Sequence, residues 1–93
     1  MTKIREWDIA DHLKSEKDVA EYLDAAFALG DAEYIPAALG AAARARGMLK
    51  TAKDTGLDRS ALYRSLSKGG DPRYSTIDKI ARTMGYRLSL VPC

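Results

Sequence analysis

The stretch MLKTAKDTGLDRSALYRSL, residues 48–66, contains two short helical patterns separated by a tight turn. Ala52 is small enough to let a second helix cross the first closely, and Gly56, four residues later, permits the positive φ that such a turn requires. Leu62, six residues after the glycine, would anchor the second helix against the first. This spacing predicts a helix-turn-helix over residues 48–67.

The remaining positions of the motif define its expected core. We expect Leu49 and Leu57 to complete the apolar contact between the two helices, and Asp58 to cap the second helix. Ser65 occupies a position that is usually apolar in this motif. The burial of the second helix should therefore shift to Leu66, one residue further on.

The exposed side of the second helix is the expected reading surface for double-stranded DNA. Arg59 and Ser60 lie in its first turn, where recognition helices enter the major groove, and Arg59 can donate a forked pair of hydrogen bonds to guanine O6 and N7. Tyr63 and Arg64 follow one turn later and can reach a base edge or a phosphate. The alternative is an ordinary solvated helix with Tyr63 packed in the core.

Basic residues flank the motif on both sides. Lys50 and Lys53 precede the turn, and Lys68 and Arg73 follow the second helix. Lysine and arginine at such positions neutralise phosphates and so position a protein on a duplex. We therefore assign these four residues to the DNA backbone.

The net charge of +2 conceals a strong asymmetry. Residues 1–43 carry four bases and nine acids, a net charge of −5, whereas residues 44–93 carry eleven bases and four acids, a net charge of +7. An acidic half beside a basic half indicates two partners of opposite charge. The alternative is that both are solvated helix faces.

Helical patterns extend over most of the chain, which predicts a single all-α domain over residues 1–93 with about five helices. Ser15 begins the first helix, with Asp18 as a partner in capping, and Gly30 ends it. The second helix should run from residue 32 to 46, with a kink or a later start caused by Pro36. The last helix should run from about Thr76 to residue 85.

The two ends of the chain are expected to be non-helical. Residues 1–14 form an N-terminal arm, either irregular or with a short edge strand from Ile4 to Ile9. Residues 86–91 alternate in polarity, which predicts a short C-terminal β-strand. A lone strand needs a partner, so Tyr86, Leu88 and Leu90 are predicted to join two copies in a homodimer.

Composition argues against enzymatic and membrane functions. The only histidine is His12 and the only cysteine is the terminal Cys93, so no metal site, cofactor site or catalytic site is expected. No apolar run approaches the ~20 residues needed to span a bilayer. We expect a cytoplasmic protein that is not an enzyme.

Residues 47–85, GMLKTAKDTGLDRSALYRSLSKGGDPRYSTIDKIARTMG, resemble the lambda-repressor-like helix-turn-helix of the probable addiction module antidote proteins, the HigA-type regulators. The similarity extends more loosely to HLKSEKDVAEYLDAAFALGD, residues 12–31. It implies a homodimer that binds a palindromic operator in its own promoter and represses its operon as part of a type II toxin–antitoxin system. Ser65 and Pro36 depart from the family pattern.

The same resemblance implies a partner toxin of the RelE/HigB ribonuclease type, which the antitoxin neutralises and uses as a co-repressor. The acidic N-terminal half would dock on such a basic protein, and Trp7, Asp8 and Asp11 are the candidate toxin-binding residues. The alternative is a protein-interaction module, or a stand-alone transcriptional regulator without a toxin.

Overall fold

The structure, a computed structural model, describes residues 8–93, and this part of the chain folds into helices without a strand. A short 3-10 helix, Ile9–His12, precedes five α-helices. The all-α class and the number of helices are as predicted. The five are α1 (Glu16–Leu29), α2 (Tyr34–Arg46), α3 (Met48–Thr55), α4 (Arg59–Ser65) and α5 (Tyr74–Thr83).

Helix α1 begins and ends where its capping residues predict. The Asp18 amide donates to Ser15 Oγ (3.1 Å), and the Lys14 amide donates to Asp18 Oδ2 (3.0 Å). These bonds satisfy amides that have no partner within the helix. Gly30 adopts φ 71° and ends the helix.

Helix α2 lies at the centre of the fold and packs against α1, α3, α4 and α5. It starts at Tyr34, so Pro36 falls in the first turn, where its missing N–H costs no intrahelical bond. The expected later start is thus confirmed. Small side chains let neighbouring helices approach from several sides, and the buried members of α2 are Pro36, Ala38, Leu39, Gly40, Ala41, Ala42 and Ala43.

The hydrophobic core draws on all five helices. Its largest fully buried side chains are Leu39, Leu62, Ile80 and Thr51, from α2, α4, α5 and α3. Val19, Leu23 and Ala26 of α1 belong to the same core. Helix α3 packs against α2 and α5, helix α4 packs against α2, and α3 and α4 also contact each other.

The predicted C-terminal strand over residues 86–91 is wrong. The Tyr86 amide donates to Ala81 O (2.9 Å), but no backbone hydrogen bond joins residues 87–93 to the rest of residues 8–93. A strand exists only when a second strand satisfies its backbone groups, and the described chain supplies none. The segment is instead a tail without regular secondary structure.

The N-terminal arm is described from Asp8 onward, so Trp7 and most of the alternative edge strand lie outside the described residues. Ile9, the end of that alternative strand, lies in the 3-10 helix. Asp8 accepts a hydrogen bond from the Ala10 amide (3.0 Å) and one from Arg44 Nη2 (2.8 Å). The start of the described chain is thereby attached to α2.

Candidate nucleic-acid interface

The connection between α3 and α4 has the tight turn that the sequence predicts. Gly56 adopts φ 74°, and its amide and that of Leu57 both donate to Ala52 O (2.9 and 3.2 Å). A side chain at position 56 would be strained in this left-handed conformation. Asp58 then caps α4 by accepting from the Ala61 amide (2.9 Å).

The inner side of α4 matches the prediction. Leu62 and Leu66 are 1% and 2% exposed, whereas Ser65 is only half-buried. Burial therefore shifts to Leu66, as expected from the polar residue at position 65.

The inner side of α3 differs from the prediction at one position. Leu49 is 68% exposed, so its predicted place in the core is wrong. The buried stripe of α3 instead contains Met48 and Thr51, three residues apart, with Ala52 and Leu57 packed against the core. Leu49 lies one residue, about 100° around the helix, from Met48 and thus faces outward. Thr51 tolerates full burial because its hydroxyl donates to Gly47 O (3.0 Å).

The C-terminal end of α4 is positioned by α2, a contact that the motif spacing did not predict. A Cβ atom at Gly40 would overlap the Leu66 carbonyl oxygen, so the two backbones approach as closely as a glycine allows. The Gly69 amide also donates to Glu33 O (3.0 Å) at the start of α2. The run of small residues around Gly40 was the available signal for this contact.

The outer side of α4 contains the four predicted base-reading residues. Arg59, Ser60, Tyr63 and Arg64 are all exposed, and they occupy positions i, i+1, i+4 and i+5 of one helix. Tyr63 is 50% exposed, which rules out the alternative of a core tyrosine. Tyr74, which follows Arg73 at the start of α5, is also largely exposed and was not among the predicted DNA-binding residues.

Most cations of this region have no acidic partner. Lys53, Arg59, Arg64, Lys68 and Arg73 are exposed and form no ion pair with any acid in the described chain. Their charges remain available to an external anion.

Lys50 differs from the other predicted phosphate contacts. Its Nζ lies 3.5 Å from Asp54 Oδ2, which also accepts from Arg46 Nη2 at 3.4 Å. Binding of a phosphate by Lys50 would therefore compete with an internal ion pair.

The candidate toxin-binding and dimerisation residues that the structure describes lie outside α3 and α4. Asp8 is engaged by Arg44 (2.8 Å), whereas Asp11 is exposed. Tyr86 and Leu88 line a groove along α1, while Leu90 is fully exposed. No residue of α4 lines this groove.

Two tyrosines form the clearest polar contact in the acidic half. The hydroxyl groups of Tyr22 and Tyr34 lie 2.7 Å apart. Burial raises the pKa of Tyr22 above its ordinary value, and the hydrogen bond with Tyr34 acts in the same direction. Tyr22 thus joins α1 to α2 as a neutral side chain.

Residues 8–93 contain no group of three or more His, Cys, Asp or Glu side chains arranged to hold a metal ion. Within the same part of the chain, no helix has the length and apolar character needed to cross a membrane.

Comparison with known proteins identifies the family. The family of probable addiction module antidote proteins matches residues 3–92. An uncharacterized protein of Haemophilus influenzae is 34% identical over 88 residues, which cover 95% of this chain and 91% of that protein. No solved structure matches the chain. Because the family match spans nearly the whole sequence, the chain belongs to the probable addiction module antidote proteins.

Proposed function

We propose that this protein is the DNA-binding antitoxin of a type II toxin–antitoxin module, which represses its own operon and neutralises a RelE/HigB-type toxin in the cytoplasm. The observation that supports DNA binding best is the exposed side of α4, where Arg59 and Arg64 form no ion pair with any acid of residues 8–93. Membership of the antidote family supports the toxin partner, and proteins of this family are generally not enzymes.

In the proposed complex, α4 enters the major groove as in lambda-repressor-like domains. Arg59 and Ser60, in the first turn, contact base edges, with Tyr63 and Arg64 one turn further on. Lys53, together with Lys50, Lys68 and Arg73, neutralises phosphates. A homodimer would present two such helices to the two halves of a palindromic operator.

The acidic half is the proposed toxin-binding side. Residues 8–43 carry eight acids and two bases, a net charge of −6. A ribonuclease needs a basic surface to hold RNA, so an acidic antidote can cover that surface and compete with the substrate. Asp11 is better placed for this role than Asp8, because Asp8 already pairs with Arg44.

The DNA-binding proposal is tested by fluorescence anisotropy on a duplex from the protein's own promoter. Arg59→Ala should cost about 1–3 kcal/mol of binding free energy, because a forked contact to a base is lost. Lys53→Ala should lower the slope of log affinity against log salt by about 0.9, the value for one phosphate. Lys17→Ala, an exposed lysine on acidic α1, is the matched control and should change neither quantity.

Unchanged affinity and salt slope in both Arg59→Ala and Lys53→Ala would contradict DNA binding through this surface. The toxin role has a separate readout, which is growth of cells that co-express the chain with the small protein encoded in the neighbouring reading frame. Rescue by the wild-type chain and by Arg59→Ala alike is expected, since the proposed toxin-binding side does not include α4.

A further inference from the structure

An open groove of about 660 Å³ runs along α1, on a side of the fold that includes no residue of α3 or α4. Ala20, Leu23 and Phe27 of α1 form one wall at spacings of three and four residues, and Ile77 and Ala81 of α5 form another. Phe27 remains 40% exposed, although it is aromatic and lies among apolar neighbours. The groove is thus apolar surface that the described chain does not cover.

The C-terminal tail begins in this groove and leaves apolar side chains in solvent. Leu88 and Val91 both line the groove, yet Val91 is still 80% exposed, and Leu90 between them is 99% exposed. No backbone hydrogen bond within residues 8–93 holds the tail beyond Tyr86. The groove and the tail are therefore neighbours, and both leave apolar side chains exposed to solvent.

The same groove contains one acid and one base. Asp24 and Arg87 both line it, yet neither forms an ion pair within the described chain. Two copies related by a two-fold axis could place Asp24 of each copy against Arg87 of the other. The groove is thus complementary in charge, as well as in polarity, to the tail of a second copy.

We propose that a second copy of this chain occupies the groove, and that the two copies exchange tails so that Leu90 and Val91 of each pack on Phe27 of the other. Such an interface is self-complementary and closes at two copies, so it does not generate filaments. No strand pairing is involved. The role of this dimer rests on the proposed function, in which a homodimer binds a palindromic operator. The proposed interface leaves the α4 surface of both copies uncovered.

The first test measures the mass of the full chain by sedimentation velocity over a range of concentrations. Phe27→Glu and Leu90→Glu should each weaken the dimer on the order of tenfold or more, because a charge is placed in an apolar contact. Leu29→Glu is the matched control: Leu29 is 80% exposed on the same helix but does not line the groove, so its dimer should equal the wild type. Thermal unfolding followed by circular dichroism shows that each variant is folded.

A charge exchange tests whether the contact joins two copies. Asp24→Arg alone and Arg87→Asp alone each put like charges together twice in a homodimer, so each variant should dimerise more weakly, on the order of tenfold. A mixture of the two single variants forms heterodimers in which both contacts are opposite in charge. Dimerisation should therefore recover on mixing, which an Asp24–Arg87 pair within one copy cannot produce.

A monomeric wild-type chain, or a dimer unaffected by Phe27→Glu and by both charge variants, would overturn the inference. If the dimer is unaffected by these variants, the groove is not the dimer interface and would be available to the toxin. Because sedimentation is measured without DNA, this failure is distinct from a failure of operator binding, which the Arg59→Ala and Lys53→Ala measurements detect.

Discussion

Helices α3 and α4 are neighbours of similar length, but most polar side chains of α3 have a partner within the fold, whereas the cations of α4 have no acidic partner in residues 8–93. In α3, Lys50 and Asp54 form an ion pair that also includes Arg46, and Thr51 is buried with its hydroxyl bonded to the backbone. In α4, the cations Arg59 and Arg64 form no ion pair within the described chain.

The two helices therefore differ in how many of their charges are free to bind an external ligand. Charges that are already paired contribute little to an external ligand, because binding must first break the internal pair. Unpaired cations on a helix that is anchored by Leu62 and by the close approach of Gly40 to Leu66 keep their charge and a defined orientation. The Lys50–Asp54 pair and the buried Thr51 of α3 thus support the fold. The cations of α4, together with Lys53 of α3, form no ion pair within residues 8–93 and are the ones suited to binding.

The largest effect should come from the residue that anchors α4. Leu62→Ala removes a side chain that is 1% exposed and should lower the free energy of unfolding by about 2–5 kcal/mol. The matched change in α3, Leu49→Ala, affects a side chain that is 68% exposed and should cost less than about 0.5 kcal/mol. Urea denaturation measures both, and equal losses would contradict the assignment of α3 and α4 burial.

The next effect concerns the contact between α2 and α4. Gly40→Ala should destabilise the fold by about 1–3 kcal/mol, because the added Cβ overlaps the Leu66 carbonyl oxygen. Helix propensity alone predicts the opposite sign, a gain of about 1 kcal/mol. Chemical denaturation gives the sign directly, and a stabilised Gly40→Ala variant would show that α2 does not hold α4 at this point.

A smaller effect is expected at the start of α4. Asp58→Ala removes the carboxylate that accepts from the Ala61 amide (2.9 Å), and it should cost about 1 kcal/mol. Arg73→Ala is the control, since Arg73 precedes α5 without a side-chain capping bond and its loss should leave stability nearly unchanged. Thermal unfolding of the two variants distinguishes a capping effect from a general effect of truncation.

The smallest effects separate the charges of the two helices. Asp54→Asn should cost up to about 1 kcal/mol at low salt and less at high salt, because its ion pairs with Lys50 and Arg46 are partly exposed. Arg59→Ala should change the free energy of unfolding by less than about 0.5 kcal/mol while it weakens DNA binding. A stability loss for Arg59→Ala as large as that for Asp54→Asn would show that α4 also uses its charge internally.

Short-range signals were sufficient to predict the five helices and several of their ends, although α5 begins at Tyr74, two residues before the expected Thr76. Ser15, Gly30, Gly56 and Asp58 act on amides and turns within a few residues of themselves, and each has the predicted role. The exposure of Arg59, Ser60, Tyr63 and Arg64 likewise follows from the period of the α-helix once Leu62 is buried. The expected delay of α2 by Pro36 has the same local origin.

Short-range sequence signals could not predict contacts between segments that are distant in the sequence. Leu49 is as apolar as Leu62, but only the packing of α3 on its neighbours decides that Met48 and Thr51 face inward. The alternation of residues 86–91 is typical of a strand, yet a strand also needs a partner to satisfy its backbone, and the fold of residues 8–93 provides none. The helices and their capping residues are therefore determined by residues that are close in the sequence. Which face of α3 is buried, how closely α4 packs against Gly40 and whether the tail forms a strand depend instead on which surfaces meet in the folded protein.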